Sequence, residues 1–279
     1  MSKTLVIGAS GSIGSEVSRL LKSNGHDVRR ATSRKHLDSD QVHLNLLNHE
    51  GLKAAVEGIE NLFLMAPPGF LNPDEALIPV IEEAEKNGVS KIVLLSALGA
   101  NEKDTEPLRL VELRLERSGI PYNIIRPNWF MQNFNTYWLG GIKSEGKILL
   151  PVEKAKGSFI DTRDIAAVAA ELLQSDKFND QAFDLTGAES LDHDEVAHLL
   201  SSVSGRKITY ENISPEHMHQ LFLQAGLPSE YSEFLLMSLD LFRQGYSDAL
   251  TDSVEKIIGR KPITFKSYAE DHKEVWAEY

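Results

Sequence analysis

The hydrophobic positions of this chain change period repeatedly, and the first change is the sharpest. Leu5, Val6 and Ile7 form a short apolar run suited to a strand buried on both faces. After three closely spaced glycines, Ile13, Val17, Leu20 and Leu21 recur at helical spacing. Ser23-Asn24-Gly25 stops that helix, and a second strand is expected across His26–Arg34, followed by a third over Gln41–Asn45 and a short helix through Leu52–Val56. A fourth, apolar strand starts at Asn61 and ends at Ala66, Pro67, Pro68 and Gly69. Asp74–Asn87 reads as an amphipathic helix, Lys91–Leu95 as a fifth strand running into Ser96 and Ala97, Glu106–Ser118 as a helix, and Pro121–Pro127 as a sixth strand. Strands that keep alternating with helices predict an α/β fold built on a doubly wound parallel sheet.

Beyond Pro127 the pattern breaks. Asn128–Trp138 carries five aromatic residues among asparagine and glutamine, directly after a strand end where such folds place a ligand pocket. Aromatic walls with a few polar groups suit a flat organic molecule, so Trp129, Phe130, Asn133, Tyr137 and Trp138 are the candidate substrate residues. Asp161 and Asp164 are placed to cap an alanine-rich helix ending near Gln174; Ala182–Thr186 reads as a later strand, and Asp192-x-x-Glu195 as a capping box ahead of Val196–Val203. From about residue 205 the chain is helix-rich. The expected division is a dinucleotide-binding domain over 1–150 plus about 155–190, and a smaller helix-rich lobe for substrate over about 191–279 together with the 128–150 loop.

The three glycines have a chemical reading. In a strand-to-helix turn, Gly8 permits the tight bend, Gly11 lets a pyrophosphate approach the backbone, and Gly14 lets the helix pack closely on the strand, the arrangement of a Rossmann-type fold. Ser10, Ser12 and Ile13 complete a cradle whose helix N-terminus offers unpaired amides to phosphate. At the exit of the second strand an acid would hold a ribose 2′-hydroxyl, whereas an arginine can pair with a 2′-phosphate. The residues there are Ser33, Arg34 and Lys35, with Arg29 and Arg30 just upstream, which favours NADP(H) over NAD(H). Asn45 and Leu46 fall where the adenine would lie, and Ala66, Pro67 and Pro68 where the fourth strand would face the cofactor.

Composition narrows the partners. The chain has 279 residues and a net charge of -12, with no dense run of Lys or Arg, which argues against nucleic acid as a ligand. It has no cysteine, so disulfides, thiol nucleophiles and thiolate metal ligands are excluded, and His217, His219, His193 and His198 lack companions at metal-site spacing. With no signal-like start and no apolar run of about 18 residues, a cytoplasmic protein without membrane contact is expected, as a monomer or homodimer.

Several segments together resemble a known group. Gly8-x-x-Gly11-x-x-Gly14, Ser96-Ala-Leu-Gly99, Ser118-Gly-Ile-Pro-Tyr122, Ile125-Arg-Pro-Asn-Trp-Phe-Met-Gln-Asn133, Phe159-Ile-Asp-Thr-Arg-Asp-Ile-Ala166 and the stretch from Asp252 to Pro262 are similar to the NmrA-like, atypical branch of the short-chain dehydrogenase/reductases. The resemblance implies an NADPH-dependent reductase of quinones, dyes or imines, or a redox-sensing regulatory protein that binds NADP(H) without chemistry. It also implies that Pro127, Asn128 and Phe130 meet the nicotinamide end. The superfamily's usual Tyr-x-x-x-Lys pair is absent: Tyr122 is followed at that offset by Arg126 and Tyr137 by Gly141, and no other tyrosine has a lysine there. Ser96 is left as the candidate catalytic and cofactor-contacting hydroxyl, beside Ala97, either bonding a substrate oxygen or serving the strand end.

Overall fold

The computed structural model describes residues 3–34 and 38–277. In chain order it runs β1 (Lys3–Val6), α1 (Ser12–Ser23), β2 (Asp27–Thr32), β3 (Gln41–His43), α2 (Leu52–Val56), β4 (Asn61–Met65), α3 (Pro73–Lys86), β5 (Lys91–Leu95), α4 (Pro107–Glu116) and β6 (Tyr122–Pro127). A 3-10 turn (Met131–Asn135), α5 (Leu139–Glu145), β7 (Lys147–Leu150), α6 (Thr162–Gln174), β8 (Gln181–Leu185), α7 (His193–Ser204) and β9 (Thr209–Asn212) follow. The chain ends with α8 (Pro215–Gln224), α9 (Ser229–Arg243), α10 (Ser253–Ile258), α11 (Phe265–Asp271) and a last 3-10 turn (Lys273–Val275).

Two compact units emerge. The first is 1–127, 162–185 and 253–259; the second is 128–161, 186–252 and 260–279. The expected domain limits shift accordingly: 128–161 and 186–190 belong wholly to the second unit, and α10 returns to the first. Unit 1 is a seven-stranded sheet in the order β3-β2-β1-β4-β5-β6-β8, with every pair parallel. The order reverses between β1 and β4, which makes that gap the topological switch point. Both faces of the sheet are covered, so its central strands are apolar throughout: Leu62, Phe63 and Leu64 of β4 and Ile92, Val93 and Leu94 of β5 are fully buried. Helix α1 buries Ile13, Val17 and Leu21 and packs on α6, where Ala166, Ala169 and Ala170 keep the buried face slim.

Unit 2 has a small sheet that the residue pattern did not disclose. Strands β7 and β9 pair in parallel across a long stretch of chain, with Lys147 and Glu211 joined by a 2.7 Å ion pair. Its core sets the aromatic rings of Phe134, Phe159, Phe242, Phe265, Tyr268 and Trp276 among aliphatic side chains such as Ile148, Leu150 and Leu200. The expected capping box at Asp192 and Glu195 is present at the start of α7. Among the described residues no helix is long and apolar enough to cross a membrane.

Candidate functional site

In unit 1 the expected cofactor residues collect at the carboxyl ends of parallel strands. Gly8 turns the chain after β1 with a φ of 74°, and a side chain there would meet Met65 Sδ at 2.5 Å. Gly14 is required for packing, since a Cβ would lie 2.3 Å from the Gly8 carbonyl oxygen. Gly11 differs: its Cβ would meet only that same oxygen, at 3.4 Å, and otherwise open space. The glycine in the middle is therefore not demanded by the protein's own packing. It also caps α1 without a side-chain bond, there is no acid in the first helical turn, and the amides of Ser12 and Ile13 have no acceptor among the described residues. Ser10, Gly11 and Ser12 are exposed. This cradle fits the diphosphate of a dinucleotide, which would take up the free amides and the positive helix end.

The basic exit of β2 resolves into separate roles. Arg29 donates to the carbonyls of Ala54, Ala55 and Glu57 at the end of α2, so it is a helix clasp. Arg30 forms a fork with Asp40 (2.8 and 2.6 Å) and reaches Asp38, and its hydrogen bonds hold the Asp40 carboxyl far below the usual range. Of these two upstream arginines, Arg30 is thus neutralised by carboxylates, while Arg29 has its Nη1 engaged by backbone carbonyls. Ser33 and Arg34 are exposed, and no carboxylate among the described residues pairs with the Arg34 guanidinium. Lys35 lies outside the described residues. Asn45 accepts from the Leu47 amide at 3.0 Å, while Leu46 and Ala66 pack partly into the core beside it. Pro67 is half-buried and Pro68 exposed after β4; past the end of β5 the Ala97 carbonyl accepts from the Ala100 amide at 3.1 Å, and the Pro127 carbonyl accepts from Leu98 at 3.1 Å.

Ser96 has a partner that residue spacing did not reveal. Its hydroxyl donates to Glu112 Oε1 at 2.6 Å, and Glu112 is fully buried on α4. Arg126 grips the same carboxylate through Nε and Nη2, both at 2.8 Å, and Arg109 adds a 2.9 Å contact. Burial alone would raise the Glu112 pKa, but the bonds from Arg126 and Ser96 outweigh it and keep it below the ordinary range. The carboxylate is thus a buried anion, and the Ser96 proton is spent on it. That removes Ser96 as a donor to a substrate oxygen. A glutamate among the buried residues Val111 and Leu115 on one helix face was the available signal.

The candidate substrate residues all fall in unit 2. Trp129 and Trp138 stack, with ring centroids 5.9 Å apart and planes inclined by 30°, and both are half-buried. Tyr137 is 68% exposed. Phe130 bridges to Ile160, and the Asn133 side chain has no hydrogen-bond partner among the described residues. Asn128, expected at the nicotinamide end, has its side chain engaged within the unit. It is buried, its Nδ2 donates to Ser158 Oγ (2.7 Å) and the Ser247 carbonyl (2.8 Å), and its Oδ1 accepts from the Trp129 amide (2.8 Å). Both side-chain amide protons are used inside the unit, so the side chain clamps the Trp129 segment. Behind the tryptophans lies His193, 1% exposed, ringed by Trp138, Phe134, Phe159, Tyr210 and Phe242 with centroids 5.3–6.0 Å away. Neither ring nitrogen has a partner among the described residues, and burial pushes its pKa down to about 3.

A parallel sheet with this strand order and an open glycine cradle at its first turn defines a Rossmann-type fold. The model of the NmrA-like family matches residues 1–277, and the chain belongs to that family. It is 31% identical to an NAD(P)H azoreductase of Xenophilus azovorans, over 96% of this chain and 97% of that protein. It is 28% identical to agroclavine dehydrogenase of Claviceps fusiformis, covering 98% of each. Among solved structures, Citrobacter sp. triphenylmethane reductase superposes with a TM-score of 0.85 at 21% identity, covering 98% of this chain and all of that one, which supports the fold.

Proposed function

We propose that the chain is an NADPH-dependent reductase that delivers hydride to a flat, conjugated small molecule of the quinone, dye or iminium class. The observation that carries this reading is the cradle: Gly11 keeps open a space that the protein's own packing does not need, beside amides that have no acceptor among the described residues. Arg34, exposed and without a carboxylate partner among the described residues, is the group for a 2′-phosphate, and the exposed Ser33 hydroxyl stands next to it. When bound, the dinucleotide supplies the hydride. The chain's residues bind and orient: the Gly8–Gly14 turn holds the diphosphate, Ala66–Pro68 and Ala97 border the nicotinamide half, and Trp129, Phe130, Asn133, Tyr137 and Trp138 offer ring faces and one amide to the substrate. The azo and triphenylmethane groups in the names of two relatives are conjugated, which agrees with an aromatic wall. With no Tyr-x-x-x-Lys pair and the Ser96 proton committed, positioning carries the rate and solvent provides the proton.

The test is NADPH oxidation followed at its nicotinamide band with a panel of quinones, azo and triarylmethane dyes and cyclic iminium salts. Turnover with at least one is expected; none above the buffer rate at high protein concentration refutes the reading. Arg34→Ala should weaken NADPH binding by about 1.5–3 kcal/mol, the worth of a charge-assisted bond, and leave NADH unchanged. Equal losses for both would remove Arg34 from the site. One observation favours a second reading, a cytoplasmic NADP(H)-sensing protein without turnover: the only hydroxyl expected at the catalytic strand end has no proton to give. That reading requires NADPH binding with no oxidation by any acceptor.

A further inference from the structure

The Ser96–Glu112 bond fixes the polarity of the strand end where it lies. A serine hydroxyl has one proton and two lone pairs. Here the proton points to a buried carboxylate held ionised by Arg126 and Arg109, and no described group donates to Ser96 Oγ in return. Whatever meets Ser96 therefore finds an acceptor and nothing else. Turning the hydroxyl round would leave the buried Glu112 carboxylate short of one hydrogen bond that nothing else described there replaces.

The place of that acceptor says what it reads. Ser96 directly follows β5, which stands two strands from β1 in the sheet, so it lies about 10 Å along the same carboxyl edge from the phosphate cradle. That is the side on which the nicotinamide half of a dinucleotide would extend once its diphosphate sits on Gly11. The donor which that half carries on its ring is the carboxamide N–H₂. We propose that Ser96, polarised by Glu112, is a specificity residue for the cofactor: it accepts a hydrogen bond from the nicotinamide carboxamide, and it discriminates against ring substituents that bring no N–H. Glu112 is the positioning residue, acting only through the serine proton. The inference rests on the dinucleotide reading above and adds the atom that selects the cofactor's reactive end.

The experiment is equilibrium titration calorimetry of the full chain with NADP⁺ and with its 3-acetylpyridine analogue, which has a methyl ketone where the carboxamide stands. The wild-type chain should bind NADP⁺ about five- to tenfold more tightly, the range of one neutral hydrogen bond. Ser96→Ala should lose affinity for NADP⁺ alone, so that the two dissociation constants converge. Ser96→Thr, which keeps an oxygen able to donate to Glu112, should restore the gap. If the ratio is the same in the wild type and in Ser96→Ala, or if the wild type binds both equally, the role of Ser96 is overturned while the dinucleotide site stands. If neither nucleotide binds, the dinucleotide reading falls, and this inference with it.

Discussion

Lowering the pH from 7.5 to 5 should weaken unit 2 by about 2 kcal/mol through His193 alone. The imidazole is sealed among five aromatic rings, both nitrogens lack partners among the described residues, and burial pushes its pKa down to about 3 against an ordinary 6.5. Burial is the main cause; the nearby Asp194 carboxylate pulls the other way and is outweighed. The folded chain keeps the ring neutral while the unfolded chain takes up a proton below about pH 6.5. Stability therefore falls as pH drops through that value, and the loss levels off only near pH 3. Each pH unit in the window costs about 1.36 kcal/mol, which integrates to roughly 2 kcal/mol by pH 5. Trp129, Trp138 and Trp276 are the chain's three tryptophans, and all belong to unit 2, so tryptophan emission during urea unfolding reports on that unit. The comparison is between the wild type and His193→Leu at pH 7.5 and 5.0. Using the difference between the two pH values cancels any packing change the substitution brings. The variant should lack about 2 kcal/mol of the wild type's acid loss; equal losses in the two proteins would refute the account of a neutral, sealed imidazole.

The remaining predictions concern unit 1. Gly11→Ala should fold normally, because its Cβ meets nothing closer than 3.4 Å, yet bind NADPH at least about tenfold more weakly through loss of the diphosphate's close approach; unchanged affinity in a fluorescence titration would place the diphosphate elsewhere. Gly14→Ala, with a Cβ 2.3 Å from a carbonyl oxygen, should instead lower the thermal midpoint whether or not nucleotide is present. Glu112→Gln leaves the Arg126 guanidinium without its buried counter-charge and should cost about 3–5 kcal/mol, a fall in the thermal midpoint on the order of 10 °C. A shift within about 2 °C of the wild type would mean that Asp184, 3.6 Å from Arg126, takes over the charge.

The sheet of unit 1 was legible because parallel strands buried on both faces announce themselves as short apolar runs. Leu62-Phe63-Leu64 and Ile92-Val93-Leu94 needed no partner information to be read. The β7–β9 pair was not legible: β9 is mostly exposed and polar, and its partner lies some sixty residues earlier in the chain. The site divided in the same way. Glycine spacing revealed the cradle because the turn's demands are local. Which arginine stays free at the end of β2 depends on Asp38, Asp40 and the end of α2, all brought in by tertiary folding. Asn128 and Ser96 show the same limit: which donors a polar side chain after a strand has to spare depends on buried partners, Ser158 and Ser247 for one and Glu112 for the other, that only the folded chain brings together.

The strand order also has a bearing on synthesis. When residue 127 has left the ribosome, six of the seven strands of the large sheet exist, and β6 has no neighbour on its outer side. The strand that covers it, β8, is made only after a further stretch of roughly 60 residues, a wait of some 3–12 s at about 5–20 residues per second. For that interval the nascent chain displays a bare parallel edge containing Ile124 and Ile125, the kind of template on which neighbouring chains associate. Yield of this protein should therefore respond more strongly to translation speed between residues 128 and 185 than to speed anywhere else in the message, a dependence that synonymous codons in that stretch would expose.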